Sequence, residues 1–262
     1  MKPMLKWAGG KSRITDTLLS MLPADIRDRE YHEPFLGSGA LFFALEPSRS
    51  HISDSNSRLI RMYREVRDNP TAFRVQAERD RELSYLDLRA QFNLRPTGSA
   101  FLVLNKSCFN GLYRVNAKGD FNVSKGLMPP PLIGAAELSE ISALLGRSSI
   151  HCESYLRACV RAEHSQAFVY LDPPYDASWT GYTKEGFDAG DQEALRDACL
   201  HLNAAGCLWM VSNHDTPLLR ELYAGFFFTP IQVQRSIGSH KKAATSAAEL
   251  VITNYPLLTQ TV

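Results

Sequence analysis

Hydrophobic positions along this 262-residue chain follow two different rhythms. Segments 31–33, 51–53, 168–171 and 208–212 are short, buried-looking runs with loop or helix signals nearby, which predicts strands of a parallel sheet. Between the last two lies Asp191-Gln-Glu-Ala-Leu-Arg-Asp-Ala-Cys-Leu-His-Leu-Asn-Ala-Ala-Gly206. It carries acids in its first turn, apolar residues at 194, 195, 198, 199 and 202, and a terminating glycine, so it predicts a helix. Strand, helix, strand is a βαβ unit. The expected fold class is therefore α/β, a doubly wound sheet whose sites lie at the carboxyl ends of its strands. Residues 226–255 have strand-like ends around Ser236-Ile-Gly-Ser-His-Lys-Lys242, which predicts an antiparallel hairpin closing the sheet.

The rhythm changes between 57 and 135. Leu59, Met62, Tyr63, Val66, Phe73, Val75, Leu83, Leu86, Leu88 and Phe92 recur at helical spacing among many arginines. Turn-rich stretches follow at Arg95-Pro-Thr-Gly98 and at 105–126, and Met128-Pro-Pro-Pro131 reads as a stiff return linker. This predicts a small, mostly helical domain (57–135) inserted into a sheet domain formed by 1–56 and 136–262.

Charge sharpens that division. The whole chain is only +1, but residues 58–126 hold 13 Lys and Arg against 7 Asp and Glu. A basic insertion on an otherwise acidic frame suits contact with a polyanion. The five cysteines show no C-x-x-C pair and no metal-ligand spacing. Reduced thiols, no signal peptide and no membrane-length apolar run lead to the expectation of a soluble, cytoplasmic protein that uses no metal.

The densest chemistry sits at Ala167-Phe-Val-Tyr-Leu-Asp172-Pro-Pro-Tyr175. Pro173 and Pro174 stop the strand and stiffen the backbone, and they bias the preceding residues toward extended conformations. The Asp172 carboxylate and a backbone carbonyl can then face one crevice as two acceptors. An amino group on a heteroaromatic ring has two N–H donors to meet them, and Tyr175 offers a stacking face. Glu33-Pro-Phe35-Leu-Gly37-Ser-Gly39 follows a strand candidate and precedes the apolar run 40–45, so its glycines would let a ligand approach the backbone. Asp54 ends the next strand candidate, where an acid can accept hydrogen bonds from ribose hydroxyls. The full dinucleotide fingerprint is missing, because position 42 is Phe.

Two other patterns point elsewhere. Gly9-Gly10-Lys11-Ser12 resembles the tail of a phosphate-binding P-loop, but position 5 is Leu and no strand precedes it, which excludes a triphosphatase. His214 and Asp215 lack a nucleophilic serine on a G-x-S-x-G elbow and read as a loop-stabilising cluster. The stretch from Asn105 to Asn122 mixes cations, amides and aromatics, a composition equally suited to contacts with bases and phosphates or to a glycine-containing hairpin.

With these residues assembled, the chain resembles the DNA adenine-N6 methyltransferases of the Dam family, over nearly its whole length. Lys6-Trp-Ala-Gly-Gly-Lys11, Glu33-Pro-Phe-Leu-Gly-Ser-Gly39, Asp54, Phe109-Asn-Gly-Leu-Tyr-Arg114, Gly119-Asp-Phe-Asn-Val123, Cys152-Glu-Ser-Tyr155, Asp172-Pro-Pro-Tyr175 and Ser212-Asn-His-Asp-Thr216 occur in the family's order. The resemblance implies a Rossmann-like methyltransferase sheet with an inserted target-recognition domain. It implies S-adenosylmethionine as methyl donor and adenine in double-stranded DNA as acceptor, within GATC, with another GAT-containing site or RNA as alternatives. By motif position it implies catalysis by Asp172, Pro173 and Tyr175. The cofactor would be bound by Trp7, Lys11, Phe35, Gly37, Gly39, Asp54, Tyr155 and Asp172. DNA would be met by Lys6, Phe109, Asn110, Arg114 and Asn122. A monomer in a bacterial cytoplasm, from cell or phage, is expected. In two places the chain departs from the family pattern: Ser124 stands where a proline is usual, and Leu127-Met-Pro-Pro-Pro131 replaces an aromatic-basic stretch.

Overall fold

The computed structural model describes residues 1–127, 131–174, 187–233 and 247–257. Its strands in chain order are β1 (Tyr31–Glu33), β2 (Ser50–Asp54), β3 (Ser148–Cys152), β4 (Phe168–Leu171), β5 (Leu208–His214), β6 (Phe227–Val233) and β7 (Ala247–Thr253). They form one seven-stranded sheet in the order β3-β2-β1-β4-β5-β7-β6. The first five are parallel, and β7 runs antiparallel to both β5 and β6. The terminal hairpin expected from the sequence thus closes one edge.

A fifth parallel strand, β3, escapes the hydrophobic pattern because Ser148-Ser-Ile-His-Cys152 is largely polar. It earns its place through register with β2, from Ser50↔Ser148 to Asp54↔Cys152, at the open edge of the sheet. The buried hydroxyls of Ser50 and Ser148 satisfy one another at 2.7 Å.

Period-2 alternation along β4 and β5 explains why both faces are covered. Phe168, Tyr170 and Met210 enter one apolar cluster, whereas Val169, Leu171, Trp209 and Val211 enter a second on the other face. The first cluster is built with α1 (Thr15–Ser20), α2 (Ala40–Leu45), α3 (Ser57–Asp68), α4 (Pro70–Glu82), α5 (Tyr85–Leu94), α6 (Gly98–Ser107) and α7 (Ala135–Gly146). The second is built with α8 (Tyr155–Ala162), α9 (Ala189–Ala204) and α10 (Pro217–Leu222). The sheet is therefore doubly wound and Rossmann-like. Strand order reverses between β1 and β4, the switch point at whose carboxyl edge ligands collect in such folds.

Within 57–135, four side-chain caps set the helix starts. Asn56, Asn69, Ser84 and Thr97 accept backbone N–H bonds at the first turns of α3 to α6. The apolar face of α3, with Leu59, Ile60, Met62, Tyr63 and Val66 buried, packs toward both β2 and α6. After α6 a loop folds back as a hairpin, with antiparallel bridges Cys108↔Lys125 and Val115↔Phe121. Tyr85 Oη pins it to α5 through the Val123 carbonyl at 2.8 Å. All five cysteines are free. Among the described residues no helix is long and apolar enough to cross a membrane.

Candidate active site

The turn after β1 is held from three directions. Gly37 and Gly39 both adopt left-handed backbone, with φ of 48° and 68°. The Gly37 N–H donates to Asp54 Oδ2 at 3.0 Å, and the Gly37 carbonyl accepts from Tyr63 Oη at 3.0 Å. Trp7 closes the third side, its indole lying where a Cβ on Gly37 would stand. Asp54 also accepts the Asn56 N–H at 2.8 Å, so this acid fastens the end of β2 to the glycine turn. Burial raises its pKa against those two hydrogen bonds. A carboxylate offers about four lone-pair sites, so Asp54 can still accept from a ligand.

Asp172 sits just past β4, at the switch point, beside a buried Lys11. The Lys11 Nζ donates to Asp172 Oδ1 at 2.5 Å and to the Gly9 carbonyl at 3.0 Å. The ammonium group is nearly inaccessible, while the Asp172 side chain keeps about a fifth of its surface open. Burial pushes the Asp172 pKa up to about 6, with Lys11 pulling the other way. Glu33 lies buried at the end of β1, accepts from Tyr31 Oη at 2.7 Å, and is raised to about 8 by burial, with the charges of Asp172 and Asp54 adding to the rise. Three carboxyl groups thus share the edge, and Glu33 is neutral at physiological pH.

This sets a sign for pH dependence. Asp172 is the full acceptor only when ionised, which holds above about 6. A reaction that uses Asp172 as that acceptor should, at saturating substrate, be flat above neutrality and fall about tenfold per pH unit well below 6. A single-turnover pH–rate profile with no break between 5 and 7 would remove Asp172 from that role.

An aromatic slot flanks the glycine turn. Phe35 stacks on Tyr155 at 5.0 Å between ring centroids, and Phe187 meets Phe35 edge-on at 6.1 Å. Tyr155 opens α8, directly after β3, so its position depends on the strand that the hydrophobic pattern misses.

A second cluster lies where the N-terminal segment meets the hairpin. The Asn105 side chain accepts the Lys6 N–H at 3.2 Å and donates to the carbonyls of Lys6 and Gly111, each at 2.9 Å. Trp7 stacks on Tyr113 at 5.9 Å. Phe109 is exposed beside this clasp, and Asn110 takes a left-handed φ of 55°. Arg114 is exposed and braced across the hairpin, with Nε donating to Asn122 Oδ1 at 2.8 Å and Nη2 to the Asn122 carbonyl at 3.3 Å.

Residues 7–237 match the model of the D12 class N6 adenine-specific DNA methyltransferases. The chain belongs to this family. A type II methyltransferase, M1.LlaDCHI of Lactococcus lactis subsp. cremoris, is 36% identical, over 97% of this chain and 96% of the relative. A DNA adenine methylase of Vibrio cholerae is 34% identical, covering 95% of each chain. The type II methyltransferase M.MjaIII of Methanocaldococcus jannaschii is 33% identical, over 97% of this chain and 99% of the relative.

In this DNA adenine methyltransferase the residues expected from the sequence fall into two groups. Lys11, Phe35, Gly37, Gly39, Asp54, Tyr155, Asp172 and Pro173 line the carboxyl edge of the sheet, while Lys6, Phe109, Asn110, Arg114 and Asn122 gather on the hairpin side. Trp7 touches both. Tyr175 lies outside the described residues. Sequence reasoning assigned no role to Phe187, Tyr113 or Asn105, nor to the buried amide pair Asn213 and Gln192, joined at 3.2 Å. Asn213 stands two residues beyond Val211 on β5, the strand paired with β4.

Proposed function

We propose that this methyltransferase transfers a methyl group from S-adenosylmethionine to N6 of an adenine flipped out of duplex DNA, within the sequence GATC. The observation that carries the reading is the Lys11–Asp172 pair at the switch point, one strand away from the Gly37–Asp54 cradle. The chemistry of the donor set fits the donor. The Asp172 carboxylate at this edge favours a cationic sulfonium, the Phe35–Tyr155 slot suits an adenine ring, and Asp54 keeps capacity for ribose hydroxyls. S-adenosylmethionine supplies, when bound, an electrophilic methyl group.

The chain's own residues would do the rest. A stacked adenine hides its N6, so the base must leave the helix to be reached. Its amine is a poor nucleophile because the lone pair is delocalised into the ring. Acceptors at the Asp172 carboxylate and the Pro173 carbonyl would hold both N–H bonds, favour a tetrahedral nitrogen and stabilise the positive charge that develops there. Lys11 would keep Asp172 ionised and aimed, and Tyr175 would stack on the base. We assign target recognition to the 57–135 segment. There Phe109 and Asn110 would enter the space that the adenine vacates, while Lys6 and Arg114 would read guanines.

Arg114→Ala should relax discrimination at one guanine by about 1–3 kcal/mol. Methylation rates on GATC and single-substituted duplexes check this, and uniform weakening on every duplex would make Arg114 a phosphate contact instead. The proposal as a whole is tested by expression in a host lacking adenine methylation, followed by modification-sensitive sequencing. N6-methyladenine confined to GATC is the expected result. Methylation at another motif would move specificity to the Ser124–Lys125 end of the hairpin, and modified RNA with unmodified DNA would overturn the substrate.

A further inference from the structure

Away from the active site, three imidazoles stand in a row across β1, β2 and β3. His32 is the register partner of His51, so both side chains leave the same face, and their rings stack at 4.7 Å. His151 pairs with Ser53, two residues beyond His51 and hence on that face, and stacks on His51 at 5.7 Å. Glu30, just before β1, reaches the same place. Its Oε1 lies 2.9 Å from His32 Nε2 and 3.4 Å from His51 Nε2. The three ligand-capable atoms of Glu30, His32 and His51 all lie within 4.8 Å of one another.

We propose that Glu30, His32 and His51 form a site for one divalent transition-metal ion of the zinc type. The geometry already approximates an ion's coordination shell. Bonds of about 2.0–2.1 Å in a tetrahedron give ligand–ligand edges of about 3.3–3.4 Å, near the two separations that Glu30 Oε1 makes. Two imidazoles and one carboxylate are a donor set that suits zinc, with the fourth position left to water. Glu30 and His51 keep 22% and 26% of their side chains accessible, which gives the ion and its water a way in. His32 is almost fully buried, so it forms the inner wall of the site.

The surroundings support the same assignment. His51 Nδ1 lies 3.4 Å from His151 Nε2, so a proton on Nδ1 can be shared with His151. That tautomer turns the bare Nε2 toward Glu30, as an outer partner does for a ligating histidine. Two cations near the cluster are occupied elsewhere, Arg161 of α8 by Glu153 at 2.9 Å and 3.3 Å and Arg64 of α3 by the Ile150 carbonyl at 2.7 Å and 3.2 Å. The expectation of no metal rested on cysteine spacing, and no spacing rule connects residues 30, 32 and 51. Only the pairing of β1 with β2 does.

The test uses the full chain without a histidine tag, stripped with a chelator and dialysed against zinc or cobalt(II). One ion per chain should be retained. Cobalt should give a tetrahedral visible spectrum without a thiolate band in the near ultraviolet. At a hundredfold excess over Kd, zinc should raise the melting temperature by about 5–10 °C. Glu30→Gln and His51→Gln, both at accessible positions, should lose the ion, and Cys152→Ser should keep it. No retained ion in the wild-type chain, a thiolate band, or retention undiminished in both variants would overturn the site. The stoichiometry and cobalt spectrum of the wild-type chain decide the matter even where a variant misfolds.

Discussion

Replacing Asp172 with alanine is expected to lower the single-turnover rate of methyl transfer by at least about 10²–10³-fold while leaving DNA affinity within a few-fold of the wild type. The size follows from removing one preorganised group aimed at developing charge, which costs about 2.7–4 kcal/mol in a water-poor site. DNA affinity should survive because Lys6, Phe109 and Arg114 lie in the separate cluster organised by Asn105 and Asn122. Asp172→Asn separates two contributions. It retains an acceptor oxygen but loses the charge that pairs with Lys11. Its rate should therefore fall between those of the aspartate and alanine enzymes, and its rate should no longer break near pH 6. Rapid-quench transfer of a labelled methyl group, with fluorescence anisotropy for DNA binding, reads both quantities. Full turnover by the alanine variant would sink the two-acceptor clamp.

Gly37→Ala should be strongly damaging for a substitution that adds a single methyl group. The residue has φ of 48°, and a Cβ built there would stand 2.7 Å from Trp7 Cδ1 and 3.0 Å from its Nε1. The left-handed backbone costs an alanine about 1–2 kcal/mol, and forcing extra volume into a packed contact adds about 1–3 kcal/mol. Trp7 has little room to retreat, because Tyr113 stacks on it and Phe101 lies 6.3 Å away. A melting temperature lower by about 5–15 °C is the expected outcome. Donor affinity measured by calorimetry should fall at least tenfold, since the same turn joins Asp54 to the cradle. Unchanged stability and donor binding would mean that the turn tolerates a side chain and that Trp7 is not its lid.

Much of the site was legible because its chemistry is local. Asp172 followed by two prolines, glycines straight after a strand, and an acid closing the next strand are each decided within about seven residues. In 57–135 the hydrophobic spacing gave the helical character, while the helix starts came from the structure, where Asn56, Asn69, Ser84 and Thr97 each cap a turn two or three residues away. What escaped involved partners far apart in the chain. Lys11 looked like a failed P-loop lysine, yet its ammonium pairs with an acid 161 residues later. Asn105 looked like one amide among several, yet it clasps a backbone 99 residues earlier. β3 was hidden because an edge strand needs little hydrophobicity once its hydroxyls and backbone find partners on β2.

The sequence by itself therefore determined the fold class, the strand that ends in Asp172-Pro173-Pro174, the glycine turn, the place of Asp54 at the end of β2 and the basic, helical character of the insertion. These follow from dihedral restriction, hydrophobic periodicity and turn chemistry, all of which act over a few residues. Tertiary structure alone decided that Lys11 serves Asp172, that Phe187 joins Phe35 and Tyr155, that Asn122 braces Arg114, and that three histidines align beside Glu30. Each of these depends on strand order and register, because a shift of one residue in pairing turns every side chain to the opposite face of the sheet.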